Sequence, residues 1–572
     1  MNWKLISSML AAFVVAVHGA EPAEQRSKAQ ALQKEGNWKD ALEIYQGLLK
    51  EVSDKDSGQD LAAAVTSLQQ LQKLAERDQL VEEAVERHAD NWHLLYRAGL
   101  TYQGGSNWGR LLDGEFQRGQ NQGSGLWTDS QARDRVRSMQ LFLQAMDQGG
   151  DSMTAGEKVS VLSSLATSLT SNRTHSRTLW ALAVKTPLDT LPDYGDERGL
   201  ASGSGAPVDD EGNPLYFSIP KSWEEAADDG ERWRWIREET RRLMPERSAG
   251  LDKEWADFLR NNYGVGTLAG FGWWGRSQGP DEQKGILQAH TLEETETLAK
   301  LANGVKRFRL REDYQFIPLY RRLSNDGNAS AGDALVQVFL DRRQFVTAAK
   351  ELRKVIERHG EGGKGKTRSK LLKQITGDWG RFESIPMFGA GKKPSVPFVY
   401  RNAEEVKLEL HRIKLDLLVS DIFEYLEGNP KELDWNRLNI GSVGQQLIEK
   451  GKDRYLGKRI AKWDEELEPR KGHWDTRSAI KVPTSKAGAY LLKAELEDGN
   501  TSWIVVWISD TVLLRHQTKD DSIYYLGDSN GAAGVSGQIE FLGFKTIRRE
   551  GAKRLLRKFD VETKRFSKEI GD

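Results

Sequence analysis

At 572 residues the chain is too long for a single hydrophobic core and divides into about three or four domains. Its 83 Lys and Arg against 84 Asp and Glu leave a net charge of −1, which excludes a global field drawing it to nucleic acid or to an anionic membrane. The chain has no cysteine, so a disulfide, a zinc–thiolate site, a cysteine nucleophile and a cysteine-linked acyl group are all excluded.

Taken in order, the chain opens with Lys4, the apolar run Met9–Val17 and the small residues Gly19 and Ala20. This is the layout of a secretory signal peptide over residues 1–20, with the mature chain starting at Glu21. The run is shorter than the ~20 residues that cross a bilayer, and no later segment reaches that length. The expectation is an exported protein of the periplasm or cell envelope, with no membrane span in the mature chain.

Residues 21–187 read as helical and tetratricopeptide-like. Trp38, Ala41, Leu42, Tyr45, Leu48 and Leu49 recur at three- and four-residue spacings and form one apolar stripe, like the second helix of such a repeat. Trp92, Leu95, Gly99 and Tyr102 resemble a first helix, and Gln344–Leu352 echoes the second helix again. Residues 188–222 form an irregular loop region, because Pro192, Pro207 and Pro214 with Gly199, Gly203, Gly205 and Gly212 end helices and make turns. Ser222 with Glu225 reads as a capping box opening a second helical, repeat-like region over 223–390.

Several stretches invite a chemical reading. Gly360–Thr367 fits the phosphate-loop pattern GxxxxGK[ST], in which backbone N–H groups wrap phosphates, the lysine reaches the outer ones and the threonine holds magnesium. That geometry needs a strand before the loop, whereas Leu352, Val355 and Ile356 have helical spacing, so a connection between helices is expected. Gly264–Gly270 follows a helical run and not a strand, which leaves a dinucleotide fold unsupported. Arg232–Trp235 could stack on single strands, but Glu231, Glu238 and Glu239 offset the charge, and alternation of core and surface explains it. Asn325–Asn328 lacks the remaining ligands of a calcium loop, and Glu465 with Glu466 reads as a solvated helical face. No histidine cluster has metal-ligand spacing. The expectation is a protein without catalytic residues, cofactor or metal, and not an enzyme.

From about Pro394 the pattern turns from helical to alternating. Val406, Leu408 and Leu410 alternate with Lys407, Glu409 and His411, the period of a strand with one buried face. Ala489–Leu496, the turn Glu497–Asn500 and Ser502–Ser509 read as strand, Asp-Gly turn, strand. An antiparallel β-sandwich is therefore expected over 394–499. A second, incomplete one is expected over 500–572, which holds fewer residues than the ~100 of a seven-stranded sandwich.

Tyr400-Arg401-Asn402, Gly488–Leu492, Gly527–Gly531 and Val535–Glu540 resemble the macroglobulin-type domains of bacterial alpha-2-macroglobulins. The resemblance covers roughly residues 394–548 and, more loosely, the helical region before them. It implies a multidomain α plus all-β chain, tetratricopeptide-like helix pairs followed by macroglobulin- or immunoglobulin-like sandwiches. It further implies the N-terminal portion of an endopeptidase inhibitor that works by trapping, truncated or split, with a structural role here. The family's thioester requires a cysteine that this chain lacks. Proteases would then be partners through a full-length assembly. The alternative is an exported tetratricopeptide-like scaffold with a protein partner on its helices, and a further alternative is a phosphate-loop nucleotide binder.

Overall fold

The computed structural model describes residues 21–119, 125–170, 178–195, 205–269, 288–448, 453–519, 521–529, 537–550 and 557–570. The expected signal peptide, Gly199, Gly203, Gly270, Asn530, Gly531, Val535 and Ser536 lie outside them. The chain forms two compact units, the first running to Leu323 and the second taking Gln288–Thr291 and Ser324 onward.

The first unit begins with α1 (Pro22–Lys34), α2 (Trp38–Glu51), α3 (Ser57–Gln70), α4 (Arg77–Arg87) and α5 (Trp92–Gly104). The stripe read from sequence is the one that is buried: Ala41, Leu42, Tyr45, Leu48 and Leu49 of α2 share a core with Leu61 and Leu68 of α3 and with Leu94, Leu95 and Ala98 of α5. Small residues set how closely the helices approach. A Cβ on Gly58 would lie 2.5 Å from the His93 carbonyl oxygen, and one on Gly99 would lie 2.5 Å from the Phe142 ring, so neither position takes a side chain without a shift of the helices.

A three-stranded antiparallel sheet then interrupts the helices, with β1 (Trp108–Leu112) between β2 (Glu115–Arg118) and β3 (Leu126–Asp129). The expectation of helices throughout 21–187 is corrected here. Asp113-Gly114, both at positive φ, close a tight β1–β2 hairpin that a helix could not accommodate. Behind it, α6 (Gln131–Gly149) and α7 (Ala155–Thr170) resume the array. After α8 (Thr178–Leu182), residues 188–195 and 205–222 are irregular, as expected.

The second helical stretch starts later than 223. Ser222 only closes a turn, accepting from the Glu225 N–H at 3.4 Å, while α9 (Asp229–Leu243) is capped by Asp228. Asp228 accepts from the Glu231 N–H at 2.8 Å, and Glu231 accepts from the Ala227 N–H at 2.8 Å, one residue before the cap, so the helix is capped six residues on from the expected start. Burial first, and then the charges of Glu231 and Asp229, push the Asp228 carboxyl up to about 6 from its ordinary 3.8. A raised folded value means that the contribution of this group to stability is full below pH ~4 and is lost as pH rises through ~6. Asp228→Asn keeps the cap acceptor without the charge. It is expected to stabilise the chain by roughly 1 kcal/mol above pH 7, after screening at a partly exposed site, and to gain nothing at pH 4. Thermal melts at both pH values check the sign.

Helix α10 (Ser248–Tyr263) and the hairpin β4 (Glu296–Leu301) with β5 (Gly304–Arg309) complete the first unit, and its boundary falls within α11 (Phe316–Asn325). The hairpin is a second departure from the helical expectation for 223–390, turning at Ala302-Asn303 and entering β5 at Gly304, which has φ 124°. The second unit continues with α12 (Ala329–Asp341), α13 (Phe345–His359) and α14 (Thr367–Thr376). Asn325–Asn328 is turn chemistry, as read, because Asn328 caps α12 by accepting from the Ala331 N–H at 3.0 Å.

Next come β6 (Trp379–Phe382), β7 (Phe388–Gly389), β8 (Ser395–Arg401), β9 (Glu405–Ile413), α15 (Leu415–Glu427), α16 (Trp435–Leu438) and α17 (Val443–Ile448). They are followed by β10 (Leu456–Glu466), β11 (Thr476–Lys481), β12 (Gly488–Glu495) and β13 (Thr501–Ser509). A five-stranded sheet, β10-β9-β12-β13-β7, and a three-stranded sheet, β11-β8-β6, enclose one core. Val406, Leu408 and Leu410 of β9 meet Tyr490 and Leu492 of β12 and face Val396, Phe398 and Tyr400 of β8.

The sandwich therefore runs from 379 to 509, and three expectations are corrected. The 499/500 boundary falls inside the β12–β13 hairpin, where Leu491 pairs with Val505. Glu465 and Glu466 lie on a strand and not a helix, pairing with Val406 and Glu405. A helical insertion, α15 to α17, sets Leu418, Ile422 and Leu447 against Ala489 and Leu491 on the outer face of β12. Burial on both faces explains why Ala489–Leu492 is continuously apolar.

Beyond Ser509 the expected second sandwich is replaced, among the described residues, by two two-stranded sheets. These are β14 (Thr511–Gln517) with β15 (Ser522–Asp528), and β16 (Gly537–Glu550) with β17 (Arg557–Ile570). Leu514 and Ile523 on β14 and β15 are 59% and 58% exposed, since among the described residues no second sheet covers that face.

Candidate functional site

The groove of the first unit is built by a row of alternate helices, α1, α3, α5 and α7. Each buries one face in the core, which leaves the residues between the buried positions to line the open side. On α5, Leu94, Leu95 and Ala98 are buried, while Trp92, His93, Tyr96 and Arg97 line the groove. Three cavities adjoin through shared walls. One of about 470 Å³ lies between α1 and α3, lined by Arg26, Gln33 and Asp60. It shares Gln59 with a second, of about 190 Å³, between α3, α5 and α7. Arg97 joins the second to a third, of about 310 Å³, between α3 and α5.

The polar walls are ordered. Arg26 donates to Asp54 at 2.8 Å and to Asp60 at 2.7 Å, and despite burial these bonds raise its guanidinium pKa and hold it charged. Asn91 caps α5 by accepting from the His93 and Leu94 N–H groups, and its amide donates to the Asp54 carbonyl at 2.8 Å, which ties the loop before α3 to the start of α5. The His93 ring stacks on Trp92 with centroids 3.7 Å apart. Burial lowers the His93 pKa below the usual histidine range, and the nearby Glu157, Asp56 and Asp54 oppose that shift. The Tyr96 hydroxyl sits 3.3 Å from Ser164 Oγ on α7. The cavity walls thus set aromatic faces beside polar side chains on braced helices.

The stretches singled out from sequence lie elsewhere. Helix α13, not a strand, leads into Gly360, and Lys366 Nζ is engaged by Glu361 at 2.9 Å. The Thr367 hydroxyl donates to the Gly362 carbonyl, so the loop is held by its own contacts as a link between helices. Arg232 and Arg234 are buried, which corrects the reading of core and surface alternation. They pair with Asp229 and Asp313 and lie over Trp223 and Trp255. Tyr400–Asn402 is bracing: the Tyr400 hydroxyl accepts from the Glu468 N–H, Arg401 pairs with Asp475, and Asn402 donates to the carbonyls of Ile375 and Gly377 at the end of α14. Among the described residues no group of three His, Asp or Glu could hold a metal ion, and no helix is long and apolar enough to cross a membrane.

The groove itself escaped sequence reading, since the apolar stripe marks the buried side of a helix and not the open one. The available signal was Trp92-His93 and Tyr96-Arg97, aromatic and polar pairs set between the buried positions.

No family model and no curated protein matches the chain. Among solved structures it is similar to native alpha-2-macroglobulin from Escherichia coli spanning domains MG0-NIE-MG1, at 15% identity and a TM-score of 0.21, covering 34% of this chain and 62% of that one. A reconstruction of the native conformation of E. coli alpha-2-macroglobulin matches at 15% identity and a TM-score of 0.17, with 12% of its length covered. A tetratricopeptide repeat protein from Parabacteroides merdae matches at 11% identity and a TM-score of 0.20, covering 62% of this chain and 97% of that one. The chain thus spans less than two thirds of those two alpha-2-macroglobulin structures, and 94% of a shorter one that spans domains NIE-MG1, at 16% identity and a TM-score of 0.18.

Proposed function

We propose that the protein is an exported, non-catalytic binding scaffold of the periplasm or cell envelope that holds a polypeptide segment in the groove of its helix pairs. The observation that carries this reading is the row of adjoining cavities along α1, α3, α5 and α7. At roughly 10 Å between neighbouring helices the row presents about 30 Å, the reach of about nine residues of extended chain. Selection of a random twelve-residue peptide library on the full chain tests it. Micromolar peptides are expected, weakened at least about tenfold by Trp92→Ala with Tyr96→Ala. Peptides indifferent to that pair of substitutions would count against the groove.

The sandwich favours a second reading, because the residues that resemble macroglobulin-type domains, Tyr400–Asn402 and Gly488–Leu492, lie on its strands and bracing turns. On that reading the chain is the N-terminal portion of a bacterial alpha-2-macroglobulin-like endopeptidase inhibitor, with a structural role and with proteases met through the full-length assembly. This chain alone would then leave protease activity on large and small substrates equally unaffected.

A further inference from the structure

We infer that the groove selects a polypeptide segment carrying a carboxylate beside an apolar side chain, and that Arg97 of α5 reads the carboxylate. The inference rests on the reading of the groove as a polypeptide site and adds the chemistry of the ligand.

Arg97 is half-buried and lines two of the three cavities at once. Among the described residues its guanidinium has no hydrogen-bond or ion-pair partner. Its neighbours differ. Arg26 is held by Asp54 and Asp60, Arg118 by Asp78 and Asp134, and Arg137 by Glu82. A partly desolvated guanidinium without an anion has lost hydration that nothing in the free chain replaces, and a bidentate carboxylate restores those bonds.

The carboxylates on the same walls are already answered. Asp54 and Asp60 pair with Arg26, Asp56 lies 3.6 Å from it, and Glu157 accepts from the Thr154 N–H and hydroxyl at 2.8 Å. In the second cavity the local balance is positive, with Arg97 within and the exposed Lys55 at the rim against the single carboxylate of Glu157. Trp92 and Tyr96 on the same helix, lining the same cavity, supply the apolar contact. A nucleic-acid strand fits poorly, since it brings a phosphate at every step, whereas the positive balance is confined to the second cavity and the first is lined by Asp56 and Asp60 beside Arg26.

The test uses the peptides selected on the full chain. They are expected to be enriched in Asp or Glu next to an aromatic or aliphatic residue. Exchanging that Glu for Gln in the peptide, or Arg97→Gln in the protein, should each weaken binding about tenfold, and the two changes together should cost no more than either alone. Arg97→Lys should recover part of the affinity, with the thermal melt of every variant unchanged. Selected peptides that compete at the groove but are indifferent to both changes would overturn the role of Arg97 and leave the polypeptide site standing. Displacement of them by a twelve-residue oligothymidylate would contradict the choice of ligand. Selection of no peptide at all would remove both readings.

Discussion

Leu408→Ala is expected to destabilise the β-sandwich by about 3 kcal/mol, within the range of large-to-small changes at well-packed core sites. Leu408 is fully buried at the centre of β9, opposite Trp463 on β10 and Ala494 on β12. It has neighbours on both sides in the sheet and a second sheet across the core, so little can collapse into the space left behind. Leu514→Ala is the matched control. It removes the same atoms from a side chain that is 59% exposed, and should shift stability by no more than ~0.5 kcal/mol. Urea unfolding followed by tryptophan emission checks both, since Trp463 on the flanking β10 and Trp503 on β13 lie in the same sheet.

Asp134→Ala should destabilise the first unit by about 3–5 kcal/mol, through charge and not through lost volume. Arg118 is almost fully buried and donates to Asp134 at 2.8 Å and 2.9 Å, to Asp78 at 2.8 Å and to Ser130 at 2.8 Å. Without Asp134 the guanidinium stays charged, because arginine does not deprotonate, and keeps only the more exposed Asp78 as counter-ion. Asp78→Ala should cost distinctly less, since water reaches its side of the guanidinium. The order Asp134→Ala well below Asp78→Ala in midpoint of denaturation is the expected result, and equal effects would contradict the network as described.

The sequence was most legible where one period dominates. The stripe of α2 and the alternation Val406, Leu408, Leu410 were readable because each sets a single buried face. The β12–β13 hairpin was readable from its turn: a Cβ on Gly499 would lie 2.5 Å from the Asp378 carbonyl, which is why a glycine stands there. Legibility failed where two elements share one stretch of pattern. Strand β10 carries Lys462, Asp464, Glu465 and Glu466, and its charges mimic a solvated helix because it lies at the edge of its sheet. The extent of the sandwich was missed because β6 and β7 are short and precede the prolines that mark the change of pattern.

The residues of the proposed groove were hidden for a different reason. A groove on a helix array is made of positions that are neither core nor fully solvated, and no periodicity marks them. Arg97 becomes distinctive only when its partners are counted in three dimensions, beside an Arg26 and an Arg118 that are both satisfied.

Hydrogen exchange of the full chain, with and without a saturating selected peptide, tests the central claim most directly. Binding in the groove predicts slowed exchange in α1, α3, α5 and α7, strongest around Trp92–Arg97 and Gly58–Ala63, with the sandwich strands β9, β12 and β13 unchanged. Protection confined to residues 511–528 or to the sandwich, with the four helices unaffected, would contradict the account.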